Sequence, residues 1–142
     1  MRDVLSKAKR SALMARMRPT NTVAERIAFD LLSAHGLSFA KHDKTLPGRP
    51  DIVFHRCRLA VFIDGDFWHG RRFEQWKEKL SPFWLEKIST NMRRDRRVDR
   101  RLWTSGWSVL HLWSKDVERD PERAIARVLR VHSKRLAKEG NQ

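Results

Sequence analysis

Two short apolar runs near the middle of the chain constrain its fold more than any other feature. They cover residues 51–54 and 59–63, and the four residues between them are enough for a hairpin turn. Alternating side chains at 107–113 predict a further strand, and an apolar stripe between Pro82 and Gly106 predicts a long helix before it. Because a helix between two strands acts as a crossover, we expect a mixed sheet with helices on its faces.

Shorter signals predict the elements on either side of this core. Thr22 and Glu25 have the spacing of a capping box, which predicts a helix that runs up to Gly36. Residues 37–41 then predict a short strand, and Asp120 with the proline after it predicts the start of a last helix. The expected fold class is therefore α/β, with the core order αβββαβ.

Basic residues are concentrated at the N-terminus. Residues 1–19 contain six Lys and Arg but Asp3 as the single acid, and their apolar residues predict a helix that ends before Pro19. No repeat, linker or low-complexity tract divides the chain. We therefore expect one domain over residues 1–142, with a basic arm at 1–19 and the core and C-terminal helix at 20–142.

The net charge indicates what kind of partner the protein binds. There are 31 Lys and Arg against 17 Asp and Glu, which leaves a formal net charge of +14. Because 40% of the residues are hydrophobic and six are Trp, a folded domain carries this charge. We expect a polyanion, with nucleic acid favoured. A basic surface without a partner and an anionic membrane are the alternatives, and no long amphipathic helix supports the membrane.

Other features exclude whole classes of protein. A single cysteine, Cys57, excludes a disulfide framework and any zinc site with several thiolates. No apolar run reaches the roughly 18 residues of a membrane span. The first 20 residues lack the apolar region of a secretion signal. We expect a soluble protein of a reducing compartment.

Two carboxylates form the first candidate site. A hairpin turn centred between Cys57 and Arg58 would place Asp51 opposite Asp64, with Cβ atoms about 5 Å apart. Like charges repel at that distance, so such a pair favours a divalent cation between them. Ligands that are all oxygen favour Mg²⁺, Ca²⁺ or Mn²⁺ over zinc. The alternative is that both residues cap turns at strand ends.

Three further features beside these carboxylates each allow two interpretations. His69, five residues after Asp64, can transfer protons near neutral pH or be a structural histidine. Glu25 can complete its capping box or also reach waters bound to a metal. Phe67 and Trp68 can be core residues, or they can stack on bases and enter a duplex.

Several motifs, taken in order, resemble one family. They are Leu46-Pro-Gly-Arg-Pro-Asp51, Val61-Phe-Ile-Asp-Gly-Asp-Phe-Trp-His69 and Phe83-Trp-Leu-Glu-Lys-Ile88, followed by Asn91 and Arg94-Asp95. This pattern closely resembles the very short patch repair (Vsr) DNA mismatch endonucleases, and the likeness runs from about Lys7 to Trp113. The resemblance implies the restriction-endonuclease, PD-(D/E)xK-like fold, whose core order agrees with the order predicted above.

The resemblance also implies an activity, which is Mg²⁺-dependent nicking of one DNA strand beside a T·G mismatch, with Mn²⁺ as a substitute ion. It makes Asp51 a principal metal ligand, together with the main-chain carbonyl of Ile63. His69 would be the general acid or base, and Glu25 would position it or a water. Asp64 stands where family members have His or Asp, as a further catalytic residue and metal ligand.

The DNA-contacting residues are likewise implied by the resemblance. Phe67, Trp68 and Trp84 would form an aromatic wedge that enters the duplex at the mismatch, and Met14 would meet it from the other groove. Lys87 and Asn91 would contact DNA near the mismatched pair. The implied partner is double-stranded DNA, bound by a monomer in the bacterial cytoplasm.

One feature of the family is missing from this sequence. Where family members hold a structural zinc, the corresponding positions are Asp66, Arg71, Phe73 and Lys115, which are not a zinc-ligand set. We predict no zinc here, and we expect an apolar cluster of Phe73, Trp76 and Leu80 in its place. Since this loop lies beside the wedge, a restriction or defence endonuclease without mismatch specificity is one alternative function. A DNA-binding module without catalysis is the other.

Overall fold

The structure, a computed structural model, describes residues 22–140, so the predicted arm and Met14 lie outside the described part of the chain. The helices and strands follow each other in an order that contains the predicted core. They are α1 (Val23–Ala34), β1 (Ala40–Lys41), β2 (Ile52–Phe54), β3 (Leu59–Asp64), α2 (Phe73–Trp76), a 3₁₀ helix (Lys77–Lys79), α3 (Pro82–Thr104), β4 (Ser108–Trp113), α4 (Ser114–Arg119) and α5 (Pro121–Gly140).

The four strands form one sheet in the order β1-β2-β3-β4. The pairs β1–β2 and β2–β3 are antiparallel, whereas β3 and β4 are parallel and are joined by the crossover through α3. The prediction of a mixed sheet with an αβββαβ core is therefore confirmed.

The register between β2 and β3 differs from the predicted one. Ile52 lies opposite Val61 and Phe54 lies opposite Leu59, so the ladder is shifted by two residues from a pairing of Asp51 with Asp64. The turn closes directly after Phe54 because Arg58 adopts a left-handed conformation, with φ of 56°. The prediction that these two carboxylates face each other across the hairpin is wrong.

Strand β3 is buried on both of its faces, because helices cover both sides of the sheet. Leu59 and Val61 point into a core shared with α1 and α5, and Ala60 and Phe62 point toward Leu102 of α3. This alternation follows from the two-residue period of a strand. The end of β3 is therefore held rigidly between two layers.

A second core is formed by the segment that follows β3 and by the first half of α3, and it consists mostly of aromatic residues. We call it the aromatic cluster; its buried members are Trp68, Phe73, Leu80, Trp84 and Ile88, and Phe67, Trp76 and Met92 pack against them. The predicted grouping of Phe73, Trp76 and Leu80 is confirmed.

The buried face of α3 differs from the predicted apolar stripe in the first turn of the helix. Trp84 is buried in the cluster, whereas Leu85, predicted on the apolar stripe, is 38% exposed. Elements α2, the 3₁₀ helix and α4 were not predicted, because each is too short to produce a periodic pattern. Within residues 22–140, no helix is both long and apolar enough to cross a membrane.

Candidate active site

Three ligand-type side chains meet beside the start of β2. Glu25 lies in the first turn of α1, His42 follows β1 and Asp51 precedes β2. The Nε2 atom of His42 is 3.0 Å from Glu25 Oε1 and 3.6 Å from Asp51 Oδ1. Among residues 22–140 this is the one group of three or more such side chains whose ligand atoms lie within 4.8 Å of one another. We call it the acid–histidine site.

Glu25 completes its capping box and also directs one carboxylate oxygen toward His42. Its Oε2 accepts a hydrogen bond from the Thr22 N–H at 2.7 Å, and the Glu25 N–H donates to Thr22 Oγ1 at 3.3 Å, which completes the capping box. The other oxygen, Oε1, faces His42. The cap therefore fixes the carboxylate with one oxygen directed into the site.

His42 is the member of this site that sequence reasoning missed. Its backbone N–H donates to the Asp51 carbonyl at 3.1 Å, next to the pairing of Lys41 with Ile52. The ring packs edge-on against Phe29, with centroids 5.8 Å apart. The register of β1 on β2 is the signal that places His42 beside Asp51, and a two-residue edge strand shows it too weakly in sequence.

The electrostatics of the site favour a bound cation. Burial, a hydrogen bond with Glu25 and the charges of Glu25 and Asp64 together raise the pKa of Asp51 to about 8. For Glu25, burial acts to raise the pKa, but hydrogen bonds with Asp51, His42 and Thr22 outweigh it and lower the value. Asp51 thus holds its proton more tightly than a free carboxyl group, and Glu25 releases its proton more readily. A divalent cation would supply the missing countercharge, and two carboxylates with an imidazole fit such an ion.

The main-chain amide of Ile63 orients Asp51. Its N–H donates to Asp51 Oδ2 at 2.7 Å, which leaves Oδ1 facing His42. The Ile63 carbonyl as a metal ligand stays a prediction.

Asp64 is not one of the three side chains of the acid–histidine site and has hydrogen-bond partners of its own. Its Oδ2 is 2.6 Å from His111 Nδ1, and His111 Nε2 is 2.7 Å from Asp99 Oδ1 of α3. Burial acts to lower the pKa of His111, but Asp64 and Asp99 outweigh it and raise the pKa to about 9. Asp64 is therefore not among the three side chains of the acid–histidine site, and its role as a metal ligand stays a prediction. The two carboxylates influence each other through their charges.

His69 has the surroundings of a proton-transferring residue. Its Nδ1 is 2.6 Å from Asp95 Oδ2, and its Nε2 faces Asp64 Oδ1 at 3.9 Å. Burial acts to lower the pKa of His69, but the Asp95 hydrogen bond and the charges of Asp64 and Asp95 outweigh it and raise the value. The ring borders a cavity of about 270 Å³ that Arg94, Asp95, Asp99 and His111 also line. A protonated imidazole beside a cavity of this kind can act as a general acid.

The predicted DNA-contacting residues differ in exposure. Trp68 is 8% exposed and Trp84 is 1% exposed, so both are core residues in this structure, and Phe67 is half-buried beside them. Asn91 is also buried, and its Nδ2 donates to the Trp68 carbonyl at 3.2 Å. This bond gives Asn91 a structural role, and its DNA contact stays a prediction.

Two surface residues complete this region. Lys87 is half-buried on α3. Phe83, which sequence reasoning did not select, is 59% exposed, and its ring contacts Trp84 with centroids 5.1 Å apart. Phe83 therefore extends the aromatic cluster to the surface.

The four positions that correspond to zinc ligands in the family hold an ion-pair network and an aromatic residue. Arg71 Nη1 donates to Asp66 Oδ2 at 3.0 Å, and both Arg71 Nη atoms donate to Asp116, at 2.9 and 3.0 Å. Phe73 is buried in the aromatic cluster, and Lys115 is exposed. An arginine, a lysine and a phenyl ring offer no donors for zinc, so this set does not fit the ion.

The fold and the site together define a class of protein. A mixed sheet in the order αβββαβ, with carboxylates and histidines at the end of its central strands, is the architecture of the restriction-endonuclease-like nucleases. Within that class, the family model for the DNA mismatch endonuclease Vsr matches residues 2–75. The chain belongs to this Vsr family, and it is a DNA endonuclease.

Curated relatives agree with this assignment. The chain is 42% identical to the DNA mismatch endonuclease Vsr of Escherichia coli, over 80% of this chain and 74% of the relative. It is 41% identical to the type II nicking enzyme V.XorIIP of Xanthomonas oryzae pv. oryzae, over 80% and 85% of the two chains. It is 36% identical to the type II nicking enzyme V.HpaIIP of Haemophilus parainfluenzae, over 81% and 84%.

Proposed function

We propose that the protein nicks one strand of duplex DNA beside a T·G mismatch, as a monomer in the bacterial cytoplasm, with Mg²⁺ as cofactor and Mn²⁺ as a substitute. The observation that carries the proposal is the acid–histidine site, together with an oriented His69 at a cavity, and the charge of Asp64 acts on both Asp51 and His69. The similarity to a DNA mismatch endonuclease and to nicking enzymes supports the proposed substrate and the cleavage of one strand. No role for zinc is proposed.

The acid–histidine site would hold the cation through Asp51 and Glu25. A cation there would polarise a phosphoryl oxygen and lower the pKa of a bound water. The protein's part is to keep the carboxylates in place, Asp51 through the Ile63 amide and Glu25 through its capping box. Because these supports are backbone groups, the two carboxylates need little reorganisation when the ion binds.

His69 would act as the general acid that donates a proton to the leaving oxygen. Asp95 holds Nδ1, so Nε2 is the ring atom left to face the substrate. Against the effect of burial, the Asp95 hydrogen bond and the charges of Asp64 and Asp95 raise the pKa of His69, which favours the protonated ring that would donate a proton to the departing 3′ oxygen. Arg94 borders the same cavity and is placed to contact the phosphate.

The exposed face of α3 supplies further phosphate contacts. Its exposed cations occupy successive turns of one helix, and they are Arg93, Arg94, Arg96, Arg97, Arg100 and Arg101. Binding through such contacts releases counterions, so affinity falls steeply with salt. This row of arginines orients the duplex without selecting a base.

Recognition of the mismatch is assigned to the aromatic cluster. Phe67 and Phe83 both contact Trp84 and reach the surface, so they would touch the duplex first. Within residues 22–140, the buried indole N–H groups of Trp68 and Trp84 have no hydrogen-bond acceptor. Each unsatisfied N–H group lowers the stability of the free protein by about 1–3 kcal/mol. Moving these side chains out of the core and into a duplex therefore requires less free energy. The wedge is thus proposed as a state reached on DNA binding.

A cleavage assay tests the proposal. End-labelled duplexes that differ only in a T·G or a C·G pair are incubated with Mg²⁺ or with EDTA and resolved on a denaturing gel, with Asp51→Asn as the inactive control. We expect one nick beside the mismatched T, only with Mg²⁺. Equal cleavage of both duplexes would indicate a restriction or defence endonuclease instead. Binding without cleavage in any metal would indicate a DNA-binding module.

A further inference from the structure

His42 gives the acid–histidine site a nitrogen donor that an all-oxygen magnesium site lacks. Its Nε2 is 3.0 Å from one carboxylate oxygen of Glu25 and 3.6 Å from one of Asp51. Neighbouring ligands of an octahedral ion with bonds of about 2.1 Å lie about 3 Å apart. The separations between Nε2 and the two oxygens therefore match, or slightly exceed, those of ligands on one ion.

The fold holds the His42 ring in this position. The N–H of His42 is bonded to Asp51, the ring packs edge-on against Phe29, and the side chain is 14% exposed. The backbone is left-handed, with φ of 48°, a conformation that costs energy in a residue other than glycine. A ring held on so many sides keeps Nε2 directed at the two carboxylates in the free protein.

We propose that His42 Nε2 is a direct ligand of the cation held by Glu25 and Asp51, and that the site therefore binds transition ions such as Mn²⁺ and Co²⁺ more tightly than Mg²⁺. This inference rests on the proposed function, in which the site holds a metal. Imidazole suits transition ions, whereas Mg²⁺ prefers oxygen and retains its waters. The competing role is positioning, in which His42 only donates a hydrogen bond to Glu25 Oε1.

Metal titrations of the full chain separate the two roles. Binding of Mg²⁺, Mn²⁺ and Co²⁺ without DNA is measured by calorimetry for the wild type, for His42→Gln and for His35→Gln, an exposed histidine at the end of α1 that serves as the matched control. We expect His42→Gln to weaken Mg²⁺ binding by less than about threefold, Mn²⁺ by about tenfold and Co²⁺ by more. An equal loss for all three ions would indicate positioning and overturn the proposal.

A spectroscopic measurement needs no comparison of affinities. Pulsed electron paramagnetic resonance of the Mn²⁺-loaded protein should show coupling to one ¹⁴N nucleus, and the coupling should disappear in His42→Gln. If His42→Gln does not fold, His42→Asn replaces it. The presence or absence of nitrogen coupling in the wild-type spectrum also tests the proposal without any variant. A wild-type spectrum without nitrogen coupling overturns the proposal.

The failure of this inference and the failure of the proposed function give different results. Nicking that depends on Mg²⁺, without nitrogen coupling to Mn²⁺, would remove the role of His42 and leave the proposed function standing. Nitrogen coupling without nicking in any metal would keep His42 as a ligand and remove the proposed function.

Discussion

The acid–histidine site and the aromatic cluster contribute to stability in opposite ways. The site holds two carboxylates close together and raises the pKa of Asp51, which costs folding energy in the absence of a cation. The cluster removes five large side chains from water and contributes stability in proportion to their apolar area. Burial of the aromatic cluster can therefore offset the folding free energy that the acid–histidine site costs.

The largest expected effect comes from removing the central carboxylate. Asp51→Asn keeps the side-chain size and the contact with Ile63 but removes the charge that would hold a cation. Metal catalysis supplies several kcal/mol, so we expect nicking to fall on the order of 10³-fold or more. Single-turnover rates on the T·G duplex measure this. Activity within tenfold of the wild type would show that Asp51 is not the principal ligand.

The same variant tests whether the site costs stability. The pKa of Asp51 is raised in the folded protein, so the folded state holds a proton that the unfolded chain releases near pH 4. Stability without metal should therefore fall as the pH rises from about 4 toward 8, and Asp51→Asn should lack this component of the loss. Urea denaturation in EDTA at pH 5 and pH 8 checks it. If Asp51→Asn is less stable than the wild type at pH 8, the acid–histidine site does not cost folding stability.

In the aromatic cluster, the largest loss should follow Trp84→Ala. This indole is 1% exposed at the centre of the cluster, and truncating a buried Trp costs about 3–5 kcal/mol. Phe83→Ala, at the exposed neighbouring position, is the matched control and should cost less than about 1 kcal/mol. Urea unfolding followed by circular dichroism measures both. Equal losses would mean that the cluster does not supply the stability assigned to it.

A smaller effect is expected from Asp95→Asn, which leaves His69 in place but weakens its orientation. We expect a loss of about 10- to 100-fold in the nicking rate, a part of what general acid catalysis contributes. The pKa of His69 should also fall, because the charge that raises it is gone. The pH–rate profile and NMR titration of the ring measure these changes. Asp99→Asn, which contacts His111 instead, should leave the His69 titration closer to that of the wild type.

The smallest effect concerns the ion-pair network at the zinc-ligand positions. Arg71→Ala removes a bidentate pair with Asp116 and the contact with Asp66, and both pairs are partly open to solvent. We expect a loss of about 1 kcal/mol that shrinks at high salt. Arg72→Ala, at the exposed neighbouring residue, is the control and should change stability by less than about 0.5 kcal/mol. A loss that does not depend on salt would indicate packing of Arg71 over Trp113 instead.

Local patterns were enough to predict most of the fold. The capping box of Thr22 and Glu25, the proline that starts α3 and the alternation of β4 each act within a few residues, so they appear in the sequence. The same is true of Asp51 and His69 as candidates, because acids and histidines at the end of a strand stand out by their type.

The tertiary structure decided which of these candidates meet. The turn after Phe54 shifted the hairpin by two residues, so Asp64 does not lie directly opposite Asp51, and its hydrogen-bond partner is His111 on β4. His42 entered the site through the edge pairing of β1. Neither contact leaves a local signal, because each joins residues from separate elements.

The sequence by itself determined the order of the core elements along the chain, the helix starts, the basic surface and the family. Only the tertiary structure decided that Trp84 is buried, that Asp95 orients His69 and that a histidine joins Glu25 and Asp51. The physical reason is distance along the chain. Caps and alternation depend on neighbours within a few residues, whereas burial and ligand geometry depend on how α1, β3 and α3 pack against one another.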